Sequence, residues 1–254
     1  MLLLHLLFLQ KSMEKTLVII PTFNEIENIA SIIAAVFDTG LALDILVVDD
    51  QSPDGTATEV LKQMNSYPER LFLESKAKKE GLGAAYVYGF LWALRRQYEY
   101  IFEMDADFSH DPKELPSMLE ELKNEVDVIV GSRYIHGVNV VNWPLSRVML
   151  SFFASIYVRW ITGMPVKDAT AGFVGYKRKV LELINLKHIK FVGYAFQIEM
   201  KYKAWIRGLR VKEHPIIFVN RALGTSKMNG SIIWEALFGV LFLRFNKIKF
   251  LKKE

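Results

Sequence analysis

The stretch Tyr100–His110, YIFEMDADFSH, is a short apolar run that stops abruptly at two carboxylates, Asp105 and Asp107, one residue apart. Apolar runs of this length, bounded by polar punctuation, fit a fully buried strand of an α/β sheet. Open α/β sheets place their ligand sites at the C-terminal ends of such strands. Side chains at alternate positions of an extended backbone point to one side, and two carboxylates so placed repel unless a cation lies between them. Mg²⁺ or Mn²⁺ suits such an oxygen pair, and Mg²⁺ characteristically takes one or two carboxylates plus substrate phosphates. A bare Asp-x-Asp is equally compatible with a solvated strand-end turn, so its meaning depends on the rest of the chain.

Outward from this stretch, strand and helix alternate through the first half. Thr16–Pro21 is a β-rich run ending in PTFNE, with Asn24 placed to cap a helix that reaches about Phe37. Asp44–Asp50 is a second apolar strand, again ending in a carboxylate pair and followed by the turn-rich QSPDGT. A helix is expected from Gly55 to about Met64, a short strand over Arg70–Ser75, and an apolar helix over Leu82–Arg96. Tyr100–Asp105 and Val126–Gly131 give two further strands, separated by a helix opening at Pro112. This rhythm predicts an α/β fold with a mainly parallel sheet flanked by helices on both faces.

The second half is less regular. It predicts an apolar helix over Arg147–Ile161, a strand over Thr170–Tyr176, a helix over Ala195–Arg207 and a strand over Val211–Val219. A last apolar helix, Ile232–Phe245, runs into a basic tail. Neither apolar helix is long enough for a comfortable membrane span, and Arg159 and Glu235 interrupt them. With no Pro-, Gly- or Ser-rich linker and no repeat, one domain with amphipathic appendages is expected.

The chain has 254 residues and no cysteine, which excludes disulfides, thiolate metal sites and cysteine nucleophiles. Its net charge of +4 equals that of residues 241–254 alone, where five Lys or Arg stand with one Glu. The remainder is therefore neutral, unlike a nucleic-acid binder with charge spread over a face. A basic end interleaved with Leu, Phe and Ile suits an anionic membrane surface, against the simpler alternative of a solvated helical tail. Residues 1–12, MLLLHLLFLQKS, lack the basic beginning and small-residue cleavage site of a signal peptide and are too short to span a bilayer. They are expected to be an N-terminal extension, either a start read too early, with Met13 the true start, or a short membrane-contacting segment.

Glu25, Asp49–Asp50 and Asp105–Asp107 all fall at strand ends on one edge of the predicted sheet. A nucleoside diphosphate with a metal fits such an acidic edge better than a bare phosphate. The phosphate-loop signature ending in Gly-Lys-Ser/Thr is absent, which argues against a nucleotide-triphosphate hydrolase. GLGAAYVYG departs from the dinucleotide fingerprint after its first two glycines and follows a Lys-rich loop instead of opening the first βα unit. His110 follows the acidic motif and is expected to be structural, since an oxygen-lined site needs no imidazole.

PTFNE, VVDDQSPDGT, KEGLGAAYVYGF, MDADFSH, GSRY, DATAGFVGY, GYAFQIEM and NRALGTSKM occur in the order found in dolichol-phosphate mannose synthases. Over about residues 15–230 the chain resembles that family of polyprenyl-phosphate mannosyltransferases, which are inverting glycosyltransferases of GT-A fold. The resemblance implies a GT-A catalytic domain over residues 13–230 and an amphipathic, basic, membrane-contacting segment over residues 231–254. It implies transfer of a hexose, mannose from GDP-mannose, to a polyprenyl (dolichyl-type) phosphate with inversion, giving polyprenyl phosphate mannose and GDP.

By the same resemblance, Pro21, Phe23 and Glu25 line the guanosine pocket, with Phe23 where many relatives have Tyr. Val48 and Asp50 contact the nucleoside. Asp105, Ala106 and Asp107 hold the diphosphate and the divalent metal, Mg²⁺ or Mn²⁺. Some relatives supply a third metal contact from a Gln where this chain has Ser109. Arg133, Arg147 and Ser151 receive the acceptor phosphate, with Arg133 and Arg147 counted as catalytic beside Asp105 and Asp107. Arg221 and Lys227 close over the donor diphosphate, and Gln197 and Glu199 are expected near the sugar.

The implied setting is peripheral, on the cytoplasmic face of a membrane, with a membrane partner subunit left open and no nucleic-acid partner. The alternatives are another nucleotide-sugar polyprenyl-phosphate glycosyltransferase, glucosyl or similar, and a non-catalytic membrane-bound nucleotide-sugar sensor. A polysaccharide synthase of the same fold would normally carry a QxxRW block and several spans, and the sequence shows neither.

Overall fold

The computed structural model describes residues 14–124, 126–220 and 230–251. Its centre is a seven-stranded sheet of order β3-β2-β1-β4-β7-β5-β8. The strands are β1 (Thr16–Thr22), β2 (Leu43–Asp49), β3 (Leu71–Ser75), β4 (Tyr100–Glu103), β5 (Val128–Ser132), β7 (Val174–Lys177) and β8 (Val211–Pro215). All neighbours pair in parallel except β7, which runs antiparallel between β4 and β5. A small second sheet pairs β6 (Val140–Val141) with β9 (Phe218–Val219).

Both faces of the sheet are covered, because the central strands carry consecutive apolar residues such as Leu17–Ile20 and Ile45–Val48. In β1, Leu17 and Ile19 enter one core with Phe90 and Trp92, while Val18 and Ile20 enter the other with Ile29 and Ile33. The helices α1 (Ile29–Phe37), α2 (Thr56–Met64), α3 (Leu82–Arg95) and α4 (Leu115–Asn124) connect the parallel strands. In α1 the buried residues Ile29, Ile32, Ile33 and Val36 repeat at helical spacing, giving the stripe that seats it on the sheet. Gly175 in β7 is required by packing: a Cβ there would lie 2.5 Å from the Phe102 ring and 2.8 Å from Ile129.

Outside the sheet, α5 (Leu145–Thr162), α6 (Arg178–Leu183), α7 (Tyr194–Ile206), α8 (Gly230–Phe245) and α9 (Lys247–Leu251) complete the chain. Val158, Ile198, Tyr202, Val240 and Leu243 form a third core between α5, α7 and α8. Tyr157 Oη donates to the Leu237 carbonyl at 3.1 Å, and Glu235 accepts from the backbone N–H groups of Val192 and Gly193. The basic tail folds back here, since Phe250 packs against this core and Lys203 Nζ lies 4.8 Å from its ring centre. Among the described residues no helix is long and apolar enough to cross a membrane.

Four expectations change. Asn24 does not cap a helix: it sits at φ +56°, its N–H bonded to Ser52 Oγ, and α1 starts only after a turn closed on the Glu25 carbonyl. The strand expected to reach Asp105 ends at Glu103. The strand expected from Thr170 begins at Val174, because Asp168, Thr170 and Ala171 are held in a loop by Arg133 and Lys201. Val211–Val219 splits after Pro215, and the second part pairs with β6 instead of β5.

Candidate active site

The parallel strands β1, β2, β3 and β4 all end at one edge of the sheet, so the segments that follow them converge. The segments after β1 and β2 bond to each other, Asn24 N–H to Ser52 Oγ and Ile26 N–H to Asp54 Oδ2, and form one corner of this edge. Asp49 is buried and used internally, accepting from Thr22 Oγ1 at 2.8 Å and from Ser52 N at 2.9 Å. Asp50 faces the Lys-rich loop: Lys76 Nζ pairs with it at 3.1 Å and the Gly81 N–H donates to it at 3.3 Å. Lys79 Nζ lies 3.4 Å from the centre of the Phe23 ring. Glu25 accepts from Asn28 Nδ2 at 3.1 Å, and its backbone N–H is held by Thr56 Oγ1.

Pro21 pairs in register with Val48 across β1 and β2. The Val48 side chain is fully buried in the core, and so, nearly, is that of Ala106. Both side chains face the core, so a ligand contact at Val48 would fall to its backbone, and Ala106 is the inward-facing spacer between two aspartates.

Because β4 stops at Glu103, the aspartate pair is set by a loop and not by strand alternation. The Asp105 N–H donates to His110 Nδ1 at 3.2 Å, and Tyr86 Oη donates to Asp105 Oδ1 at 3.4 Å. Phe108 takes a left-handed φ of +59°, turning the chain so that Ser109 N and Oγ both donate to Asp107 Oδ1, at 3.1 and 2.5 Å. Ser109 therefore fixes a carboxylate where the expectation asked about a further metal ligand. His110 is buried, stacked 5.1 Å from Phe173, and burial pushes its pKa down to about 4. It is neutral at physiological pH, which leaves Nδ1 able to accept.

Among the described residues no three His, Asp or Glu side chains gather as a metal site. The fit is nonetheless good for a hard cation that takes two carboxylates from Asp105 and Asp107 and completes its shell with phosphate oxygens and water.

Beneath this loop is a buried polar cluster. Glu103 is fully buried, and burial raises its pKa to about 7. Gln197 Nε2 donates to Glu103, while Lys201 Nζ donates to the Ala171 and Gln197 carbonyls at 2.6 and 3.1 Å. Burial draws the Lys201 pKa down to about 8. Gln197 thus sits under the site. Glu199 belongs elsewhere: it is fully buried, pairs with Lys203 at 2.7 Å and accepts from the Lys190 and Phe191 N–H groups.

Arg133, Arg147 and Ser151 come together on one cavity of about 340 Å³, walled mainly by apolar residues of α5 and α8 such as Leu150, Tyr157, Leu237 and Val240. Arg133 is gripped by Asp168 and also donates to Thr170 Oγ1 at 2.9 Å. Arg147 Nη1 donates to the neutral amide oxygen of Asn220 at 3.2 Å, and its guanidinium lies 4.1 Å from the Trp143 ring centre. Arg221 and Lys227 both lie in residues 221–229, outside the described residues.

The model of glycosyl transferase family 2 matches residues 17–184, which spans β1 to α6 and includes Asp105, Asp107, Arg133 and Arg147. The chain belongs to that family. Across 89% of its length it is 46% identical to a polyprenol monophosphomannose synthase of Mycolicibacterium smegmatis, covering 86% of that protein. It is 42% identical, over 89% of the chain, to an undecaprenyl-phosphate mannosyltransferase of Micrococcus luteus, covering 92% of it. A glucosyl-3-phosphoglycerate synthase from Mycobacterium tuberculosis shares the fold with a TM-score of 0.67 at 16% identity, over 91% of this chain and 80% of that one. The fold is GT-A and the protein is a glycosyltransferase.

Three residues of this family 2 site escaped the sequence. Asp168 stands in the quoted block DATAGFVGY, but only the structure shows it meeting Arg133. Trp143 stands four residues before Arg147, a spacing that hinted at a contact. Lys79 left no signal beyond its basic loop.

Proposed function

We propose that this glycosyltransferase transfers mannose from GDP-mannose to a polyprenyl phosphate, with inversion at the anomeric carbon. The observation that carries this is the cavity in which Arg133, Arg147 and Ser151 stand against apolar walls of α5 and α8. A phosphate head with an isoprenoid chain has that same split between anion and hydrocarbon. The names of the two relatives, each more than 40% identical over nearly the whole chain, support the same acceptor class and sugar.

The acceptor is a phosphate monoester with a second pKa of about 6, so it is already mostly dianionic at neutral pH. It needs charge neutralisation and alignment more than a general base. Arg147 supplies net charge, since among the described residues it meets a neutral amide and an aromatic ring, whereas Arg133 is balanced by Asp168 and serves mainly to fix direction. On the donor side Pro21, Phe23, Glu25 and Asp50 hold the nucleoside, and Arg221 and Lys227 stabilise the departing diphosphate. Asp105 and Asp107 would hold Mg²⁺ or Mn²⁺, which would supply charge stabilisation to that diphosphate.

Residues 13–230 form the catalytic unit in this proposal, and residues 231–254 bring it to the cytoplasmic face of a membrane. Trp160, Trp234, Phe238 and Phe245 are all more than 60% exposed, a density of large apolar side chains that suits a lipid interface.

Purified protein incubated with labelled GDP-mannose or UDP-glucose and a polyprenyl phosphate tests the assignment. The expected result is label in the lipid extract from GDP-mannose, as a β-linked product. Label from UDP-glucose alone would reassign the donor, and donor binding without lipid-soluble product would mean a sensor.

A further inference from the structure

We propose that the indole N–H of Trp143 donates a hydrogen bond to the phosphate of the acceptor, as a binding residue beside Arg133 and Arg147. This inference rests on the acceptor proposed above.

Trp143 is fixed where the two arginines meet. Its ring centre lies 4.1 Å from the Arg147 guanidinium and 5.5 Å from that of Arg133, and the Phe218 ring meets it edge-on at 5.1 Å. Phe218 is itself pinned by β9, through its N–H to the Asn139 carbonyl at 2.9 Å. The indole is thus wedged between two cations and an aromatic edge.

Its nitrogen is the part left over. Trp143 Nε1 is buried and has no hydrogen-bond partner among the described residues. Of the buried side-chain nitrogen and oxygen atoms in that condition, it alone belongs to a residue lining the acceptor cavity. A buried donor without a partner is unfavourable, and native structures rarely keep one without a function. Indole can donate and never accept, so it favours an anion and offers nothing to a cationic head group. A phosphate monoester presents three terminal oxygens, and Arg133, Arg147 and Trp143, each with N–H donors, all line this cavity.

Trp143→Phe keeps the aromatic face for the arginines and removes only the N–H. Activity is measured with a short, water-soluble polyprenyl phosphate, together with KM for GDP-mannose and Tm. The expected result is an acceptor KM raised about tenfold or more, the scale of one hydrogen bond to a charged group. Donor KM and Tm stay unchanged, and Trp143→His, which returns a ring N–H, recovers part of the loss.

An unchanged acceptor KM in Trp143→Phe overturns the inference. So does a parallel rise in both KM values with a lower Tm, which would mark a structural role. Indole ¹⁵N–¹H spectra of the wild-type protein give an independent check. The Trp143 resonance is expected to move on adding the polyprenyl phosphate and to stay in place with the matching alcohol; no movement with the phosphate overturns the inference. Failure of the wild-type chain to transfer to any polyprenyl phosphate overturns the proposed function and this inference together, whereas wild-type transfer with an unaffected Trp143→Phe overturns this inference alone.

Discussion

Arg133 and Asp168 form a two-pronged buried pair: Nε donates to Oδ2 at 2.7 Å and Nη2 to Oδ1 at 2.6 Å. Asp168 also accepts from the Arg133 backbone N–H at 2.9 Å and is fully buried. One carboxylate thereby fixes both the side chain and the main chain of an arginine at the cavity proposed to take the acceptor. It also ties the loop before β7 to the end of β5, so the arginine holds the fold together as well as facing the cavity.

The two acceptor arginines are therefore expected to behave differently. Arg133→Ala leaves Asp168 buried without its partner and lowers stability by about 3–5 kcal/mol. Arg147→Ala removes a hydrogen bond to a neutral amide and a contact with the Trp143 ring and changes stability by only about 1–2 kcal/mol, while raising the acceptor KM. Denaturant unfolding beside acceptor titration separates them. Equal stability losses would mean that Arg147 is also part of the frame.

Transfer is expected to require a divalent cation. Asp107→Ala is expected to reduce turnover roughly a hundredfold or more, the scale on which a group stabilising transition-state charge acts. Ser109→Ala, which only frees the Asp107 carboxylate to rotate, is expected to cost about tenfold in metal affinity. Chelation and add-back of Mg²⁺ or Mn²⁺ measures both. Full transfer in excess chelator would remove the metal from the reaction.

The cluster below the aspartates gives stability two opposite pH slopes. Burial raises Glu103 from an ordinary 4.5 to about 7, so between these values the folded state holds more protons and stability falls as pH rises. Burial lowers Lys201 from 10.5 to about 8, so between these the unfolded state holds more protons and stability rises with pH. Each slope is at most about 1.4 kcal/mol per pH unit. Glu103→Gln is expected to flatten the first window and Lys201→Met the second, in unfolding free energies measured from pH 4 to about 11. Variants with wild-type slopes would show that neither group titrates there.

Membrane docking is expected to depend on exposed aromatics more than on the whole tail. Trp160 and Phe245 are each 82% exposed, whereas Phe250 folds back against the third core. Replacing Trp160 and Phe245 together by Ala is expected to release the protein from anionic vesicles in co-sedimentation, while activity on a soluble short-chain acceptor stays. High salt weakens the contribution of the basic residues, each worth about 1 kcal/mol near the surface. Unchanged sedimentation of the double variant at low salt would place docking on another surface.

Local chemistry made much of this protein legible in its sequence. Apolar strand runs with carboxylates at their ends, Gly55 before α2 and the βα rhythm depend on neighbours within a few residues, and they carried the sheet and its ligand edge. The eight motif blocks carried the family. What the sequence could not determine depends on residues far apart in the chain. Asp168 meets Arg133 across 35 positions, and Asn220 meets Arg147 across 73. β7 lies antiparallel between β4 and β5, and there the Phe102 ring and Ile129 close over Gly175 so tightly that no Cβ would fit. The aspartate pair was visible as a spacing, but its geometry came from a left-handed Phe108, a neutral His110 and a hydroxyl on Asp107. Local pattern fixes which residues must be buried or must turn. Which charges meet inside depends on how the buried faces pack, and only the tertiary structure decides that.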